Sequence, residues 1–243
     1  MCKELQYRRF LPHWYVPGAV HFVTYRLAGT IPAKVMAELR EERSRLLERE
    51  SQATVPRGEY RARAHKQFFA KYDDYLAQAT RIQWLADRRV AKVIRDNLYH
   101  HDGGKYHLLS YCIMCNHVHA VLLPIDPPQD PGGPLGARSE GEFLSDEVRD
   151  GHGPLSEITH SLKSYTAHEA NKILNRTGRF WQPESYDHWV RDAEELDRIV
   201  TYVARNPVQA GLVGEPHEYV WCSAHDRFER DGTRSSWLLE QPP

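Results

Sequence analysis

The stretch KYHLLSYCIMCNHVHAVLLPI, residues 105 to 125, limits what this chain can fold into more than any other. Residues 105–114 and 117–125 are rich in aliphatic and aromatic side chains, and only Cys115 and Asn116 separate them. Two extended runs parted by two residues make a tight antiparallel hairpin. Side chains two apart on a strand point to one face, with Cα atoms roughly 6.5 Å apart. His117 and His119 therefore share a face, while Val118 packs into the core behind them.

The rest of the chain frames that hairpin. AVHFVTYRL (19–27) alternates as a strand and is closed by Gly29 and Pro32. Apolar residues recur at helical spacing from Ala33 to about Glu50, from about Glu59 to Leu76, and along WLADRRVAKVIRDNLYHH, which ends before Gly103-Gly104. Residues 126–153 are dominated by Pro, Gly and charge and are expected to form a flexible linker. A helix from Pro154 toward Gly178 follows, then a strand at 184–192 and a helix from Ala193 to Arg205, ended by Asn206-Pro207. Without the insertions the order is strand, helix, strand, strand, helix, strand. That order predicts an α+β fold of the ferredoxin-like split βαββαβ kind, an antiparallel sheet with helices on one face. A helical insertion at about 40–80 and a C-terminal helix are added to it, all within one domain spanning 1–243.

Composition narrows the class. With 41% hydrophobic residues in 243, the chain can build a core without disulfides, and its four cysteines point to a reducing compartment. The first 18 residues carry no apolar signal core, and no run approaches the roughly 20 apolar residues that span a bilayer. A cytoplasmic protein with no membrane partner is expected. The net charge of −1 offers no global attraction to a polyanion, so any nucleic-acid contact must come from local patches such as the arginines and lysines between Arg57 and Arg89. Solvated helix faces are the better account of that run.

Two imidazoles do not complete a metal site. Cys112 and Cys115 form a C-x2-C next to them, but the histidines stand one residue apart where a zinc finger wants three to five, and Cys112 lies up the other strand. A third ligand is sought on the helix after the linker. With Ile158, Leu162, Ala170 and Ile173 turned inward, Tyr165, Glu169 and Lys172 fall on one adjacent stripe. Presented to the histidines, Glu169 becomes an oxygen ligand and Tyr165 a phenol beside the ion; His168 and Asn171 are alternative ligands. Each of these residues taken alone reads as a surface or rim side chain.

MCNHVHAVLL and HSLKSYTAHEAN, with FWQPESYDHWVRD (180–192), YVARNPVQAGLV (202–213) and RRFLPHWYVPGAVHFVTYRLAG (8–29), resemble the REP-associated tyrosine transposases, members of the HUH single-tyrosine superfamily of insertion-sequence type. Two positions depart from the family pattern: Cys115 stands where a proline usually precedes the asparagine, and Glu169 where the insertion-sequence relatives carry glutamine. The resemblance implies a nucleoid-associated enzyme that nicks and rejoins single-stranded DNA beside a hairpin of REP-like palindrome type. Tyr165 would attack phosphorus to give a 5′-phosphotyrosine, with a divalent metal, Mg²⁺ or Mn²⁺, on His117, His119 and Glu169. Lys163, Lys172, Arg176 and Arg179 would contact DNA phosphates. Trp14, Tyr15, Phe180 and Trp181 are stacking candidates, although core packing suits them better. Relatives work as homodimers exchanging helices, which the linker permits, as it does a monomer. The alternatives are a catalytically silent protein that binds hairpin DNA or RNA, and a metal-dependent hydrolase using water.

Overall fold

The structure, a computed structural model, describes residues 5–8, 12–48, 57–125 and 154–231. The expected linker at 126–153 lies outside the described residues. A short hairpin, β1 (Leu5–Arg8) and β2 (Pro12–Tyr15), precedes the main sheet. That sheet is fully antiparallel and contains β3 (His21–Arg26), β4 (Tyr106–Ile113), β5 (His117–Pro124) and β6 (Tyr186–Trp189), in the order β4-β5-β3-β6. With α3 (Arg88–His101) between β3 and β4, and α4 (Pro154–Ile173) between β5 and β6, this is the ferredoxin-like split arrangement the sequence predicts.

Strand alternation divides the molecule. On one face, Val23, Tyr25, Val118, Ala120 and Leu122 meet Val90, Ile94 and Leu98 of α3 and Leu155, Ile158, Leu162 and Ala170 of α4. These side chains are buried, and each large aliphatic one contributes about 1.5–3 kcal/mol of transfer free energy. On the other face, Phe22, Val121 and Tyr186 meet α1 (Ala33–Glu48), α2 (Arg57–Gln78) and α5 (Ala193–Gln209). The helical insertion therefore packs, as α1 and α2, on the sheet face that the split βαββαβ pattern itself leaves bare.

Local chemistry fixes the ends of these elements. Asp87 caps α3 by accepting from the Arg89 amide, and Asp192 caps α5 by accepting from the Glu195 amide. The expected stop of α5 at Asn206-Pro207 is overrun, and the helix continues to Gln209. Proline costs one interior hydrogen bond, and here it falls in the last turn, where Ala210 N to Asn206 O and Leu212 N to Pro207 O close the end. The outer edge of β4 is covered by α6 (Ser223–Asp231). Ser223 Oγ lies 2.9 Å from Ser110 Oγ, and Tyr99 and Tyr111 both donate to Asp226.

Candidate active site

His117 and His119 leave β5 on the α2 and α5 face, His117 2% exposed and His119 fully buried. The two-residue turn before them is closed by Met114 N donating to His117 O at 2.9 Å. Asn116 in that turn sets the orientation of His117. Its Nδ2 donates to Leu76 O and Ala79 O at the end of α2, at 2.9 and 2.7 Å, so its Oδ1 is the acceptor facing His117 Nδ1 at 2.6 Å. His117 Nδ1 therefore carries the hydrogen, and Nε2 of the neutral ring presents a lone pair. Burial and the neighbouring His119 push the His117 pKa down to about 3, against the pull of Asp73, so the ring is neutral at physiological pH. His119 Nδ1 is held by Thr24 Oγ1 at 2.8 Å, and Phe22 stacks on its ring.

The two Nε2 atoms face each other at 3.0 Å. Around them stand Asp73 of α2 and Tyr202 and Asn206 of α5. Asp73 Oδ1 is 3.5 Å from His119 Nε2, and Tyr202 Oη donates to Asp73 Oδ2 at 2.5 Å. Asn206 Nδ2 lies 3.3 Å from His119 Nε2 and 3.1 Å from Tyr202 Oη. Tyr202 and Asn206, one helical turn apart, thus face one centre. Burial opposes the ionisation of Asp73, but hydrogen bonds and charge from His119, His117 and Tyr202 outweigh it and hold the carboxyl down at about 2. Burial and the adjacent Asp73 carboxylate push the Tyr202 phenol far up.

Asp73, His117 and His119 each offer one ligand atom, all within 4.8 Å of one another, and no other such group occurs among the described residues. The donor set fits a cation. His117 Nε2 turns its lone pair toward His119 Nε2, and the buried Asp73 Oδ1 has no hydrogen-bond partner nearer than His119 Nε2 at 3.5 Å. Turned by half a revolution, the Asn206 amide presents oxygen in place of nitrogen. Mixed nitrogen and oxygen donors suit Mn²⁺ or Mg²⁺. Cysteine takes no part: Cys112 is buried against Met114 and Cys222.

The structure does not bring Tyr165 and Glu169 to the histidines. Both lie on α4, which packs against Val118 and Ala120, the side of β5 away from His117 and His119. Tyr165 is 54% exposed, and Glu169 pairs with Lys172 at 2.9 Å, a bond that lowers its pKa. His168 is exposed beside Glu169, and Asn171 bonds Gly178 O and Arg176. Neither takes the place of third ligand. The spacing on α4 is as expected, but its apolar stripe directs the helix to the wrong face.

Of the four cations expected to meet DNA, Lys163 donates to Gln182 O and Pro183 O, and Arg176 lies 3.6 Å over the Trp84 ring while bonding Asn171 and Arg179 O. Both are engaged within the fold, Lys163 tying the middle of α4 to the segment before β6 and Arg176 holding the turn after α4. Lys172 and Arg179 are exposed. Tyr15, Phe180 and Trp181 are buried core residues, and the Trp14 side chain lies outside the described residues. His188 pairs with Glu195 at 3.1 Å, tying β6 to α5.

Three residues of this cluster, Asp73, Tyr202 and Asn206, escape the sequence reading. For the last two a signal exists, since YVARN repeats the tyrosine-then-polar spacing of one turn seen in YTAHE. Asp73 carries none. No family model matches the chain, and no curated protein matches it. Among solved structures, a REP-associated tyrosine transposase bound to a REP hairpin is similar, at 13% identity over 98% of each chain with a TM-score of 0.49. At that identity the similarity transfers no residue role. Among the described residues no helix is long and apolar enough to cross a membrane.

Proposed function

We propose that this chain is a metal-dependent enzyme that nicks and rejoins single-stranded DNA, with Tyr202 in place of Tyr165 as nucleophile. One observation carries the reading: a phenol, a carboxylate, an amide and two imidazoles converge on one buried centre, all from one chain. No exchange of helices between copies is needed to build it.

Tyr202 Oη attacks phosphorus, the P–O3′ bond breaks, and the 5′ phosphate becomes joined to the tyrosine. The phenolic proton passes to Asp73 Oδ2, its hydrogen-bond acceptor, and from there to the departing 3′ oxygen, which leaves as a hydroxyl. Attack by another 3′ hydroxyl on the phosphotyrosine reverses the step and joins strands. His117 Nε2, His119 Nε2 and Asp73 Oδ1 would hold the divalent ion, with Asn206 as a fourth donor. Its charge, when bound, stabilises the phosphate oxygens and lowers the phenol pKa that Asp73 and burial raise. Thr24 and Asn116 keep both rings in the orientation that offers Nε2.

A phosphate that must reach a buried centre is more accessible on a single strand than in a duplex. The sequence resemblance adds a REP-like hairpin beside the cleaved strand, for whose stem the exposed Lys172 and Arg179 are retained as contacts. The test is incubation of end-labelled single-stranded hairpin DNA with the protein and Mn²⁺ or Mg²⁺. A covalent adduct is expected, lost in Tyr202→Phe and kept in Tyr165→Phe. Cleavage without an adduct, or an adduct that survives Tyr202→Phe, overturns the assignment.

A further inference from the structure

Beside the ion-binding centre lies a buried cation that the chemistry above does not use. Arg26 on β3 is the cross-strand partner of His117, so both side chains leave the sheet on the same face. It is 2% exposed. Its guanidinium donates to Thr30 Oγ1 at 3.1 Å, and its charge restrains the rise that burial imposes on the Tyr72 phenol, which sits near 12. Among the described residues no carboxylate lies within 4.0 Å of it: Glu184, in the same pocket, reaches Arg40 at 4.0 Å, and Asp73 faces His119. The fully buried Tyr72 hydroxyl beside it has no hydrogen-bond partner within normal geometry.

A guanidinium removed from water costs free energy unless an anion is set against it, and buried donors left unpaired add to that cost. No carboxylate within 4.0 Å of Arg26 meets that cost, Glu184 being turned to Arg40. We infer that Arg26 binds a phosphate of the cleaved strand, the one next to the phosphodiester that Tyr202 attacks. This rests on the nicking reading for its position. The guanidinium donates to Thr30 with Tyr72 beside it, whereas the imidazole Nε2 atoms face each other and Asp73, which places Arg26 beside the reacting centre and outside it. Its planar fork meets two nonbridging oxygens at once, and the Tyr72 hydroxyl supplies a further donor. Tyr72 of α2 borders Arg26, and Phe69 and Asp73 of the same helix border His119.

The test uses Tyr202→Phe protein without metal and a fluorescent single-stranded oligonucleotide, titrated at several salt concentrations. Arg26→Gln is expected to weaken binding about tenfold and to flatten the salt slope by about 0.7, the value of one phosphate contact on a single strand. Arg26→Lys recovers part of the loss. With Tyr202 intact and Mn²⁺ present, Arg26→Gln raises KM and leaves kcat within about threefold. Sodium tripolyphosphate raises the melting temperature of the unaltered chain above that in chloride of equal ionic strength, and this gain disappears in Arg26→Gln. If Arg26→Gln does not fold, Tyr72→Phe carries the test, with a loss of about threefold. Unchanged affinity and salt slope in a folded Arg26→Gln overturn the inference. A loss of affinity in a chain that forms no covalent adduct supports the phosphate contact and removes the nicking reading alone.

Discussion

The two faces of the four-stranded sheet grow from the same strands yet answer to different rules. Behind β5, Val118, Ala120 and Leu122 are closed in by α3 and α4, the two helices that any split βαββαβ unit places on one side. In front, His117, His119, Thr24 and Arg26 are polar, buried and covered by elements outside that unit, α2 and α5. The rear face is stabilised mainly by apolar area, although the Tyr25 hydroxyl and Asn97 Oδ1 there lack a hydrogen-bond partner. The front face is stabilised only if each polar group finds a partner, and there Asp73 Oδ1 and the Tyr72 hydroxyl find none. The imidazoles, a carboxylate and a guanidinium thus gather on the front face, and the proposed function and the stability of the chain become separable by face.

The sharpest way to break this contrast is to remove a histidine. His119→Ala is expected to cut adduct formation by roughly 1000-fold or more while leaving the chain folded, read by gel assay and circular dichroism. The mirror experiment on the rear face is Leu162→Ala. Stability should fall by about 2–5 kcal/mol in urea unfolding, with Mn²⁺ affinity per folded molecule unchanged by calorimetry. A change in metal affinity there would show that the faces are coupled.

Asp73→Asn sharpens the role of the insertion. Metal affinity should fall by about 10- to 100-fold, and the Tyr202 phenol, relieved of an adjacent carboxylate, should titrate at lower pH in ultraviolet difference spectra. The smallest effect is on acid stability. His117 stays neutral in the folded chain down to about pH 3, whereas in the unfolded chain it takes a proton near 6.5, so the unfolded state binds more protons as pH falls through that interval. Stability should therefore decline from about pH 6.5 downward, and Asp73, held near 2, adds a loss of the same sign below about pH 4. His117→Gln should flatten the upper part of that decline in melting temperature measured against pH.

Much of the fold is legible in the pattern of residues. The hairpin around Cys115-Asn116, the strand at 19–27 and the helix from Pro154 are short-range features, written by alternation, turn length and capping. The pairing of His117 with His119 follows from strand geometry and is equally local. The partner of that pair is not. Tyr165 with Glu169 and Tyr202 with Asn206 share the same one-turn spacing, and both helices carry an apolar stripe. Sequence periodicity cannot rank them, because it states which side of a helix is buried but not against which face of the sheet. The topology carries the missing information: α4, as a crossover of the split unit, must cover the face shared with α3, and His117 and His119 alternate away from it.

By itself the chain's sequence determined a split antiparallel sheet with two histidines on one side of its central hairpin, because backbone alternation and turn chemistry act over a few residues. The tertiary structure decided which tyrosine meets them and that Asp73, 44 positions upstream of His117, closes the site. The reason is physical: a side chain's neighbours across a sheet are set by how helices distribute over its two faces, and that distribution is a property of the whole packed core.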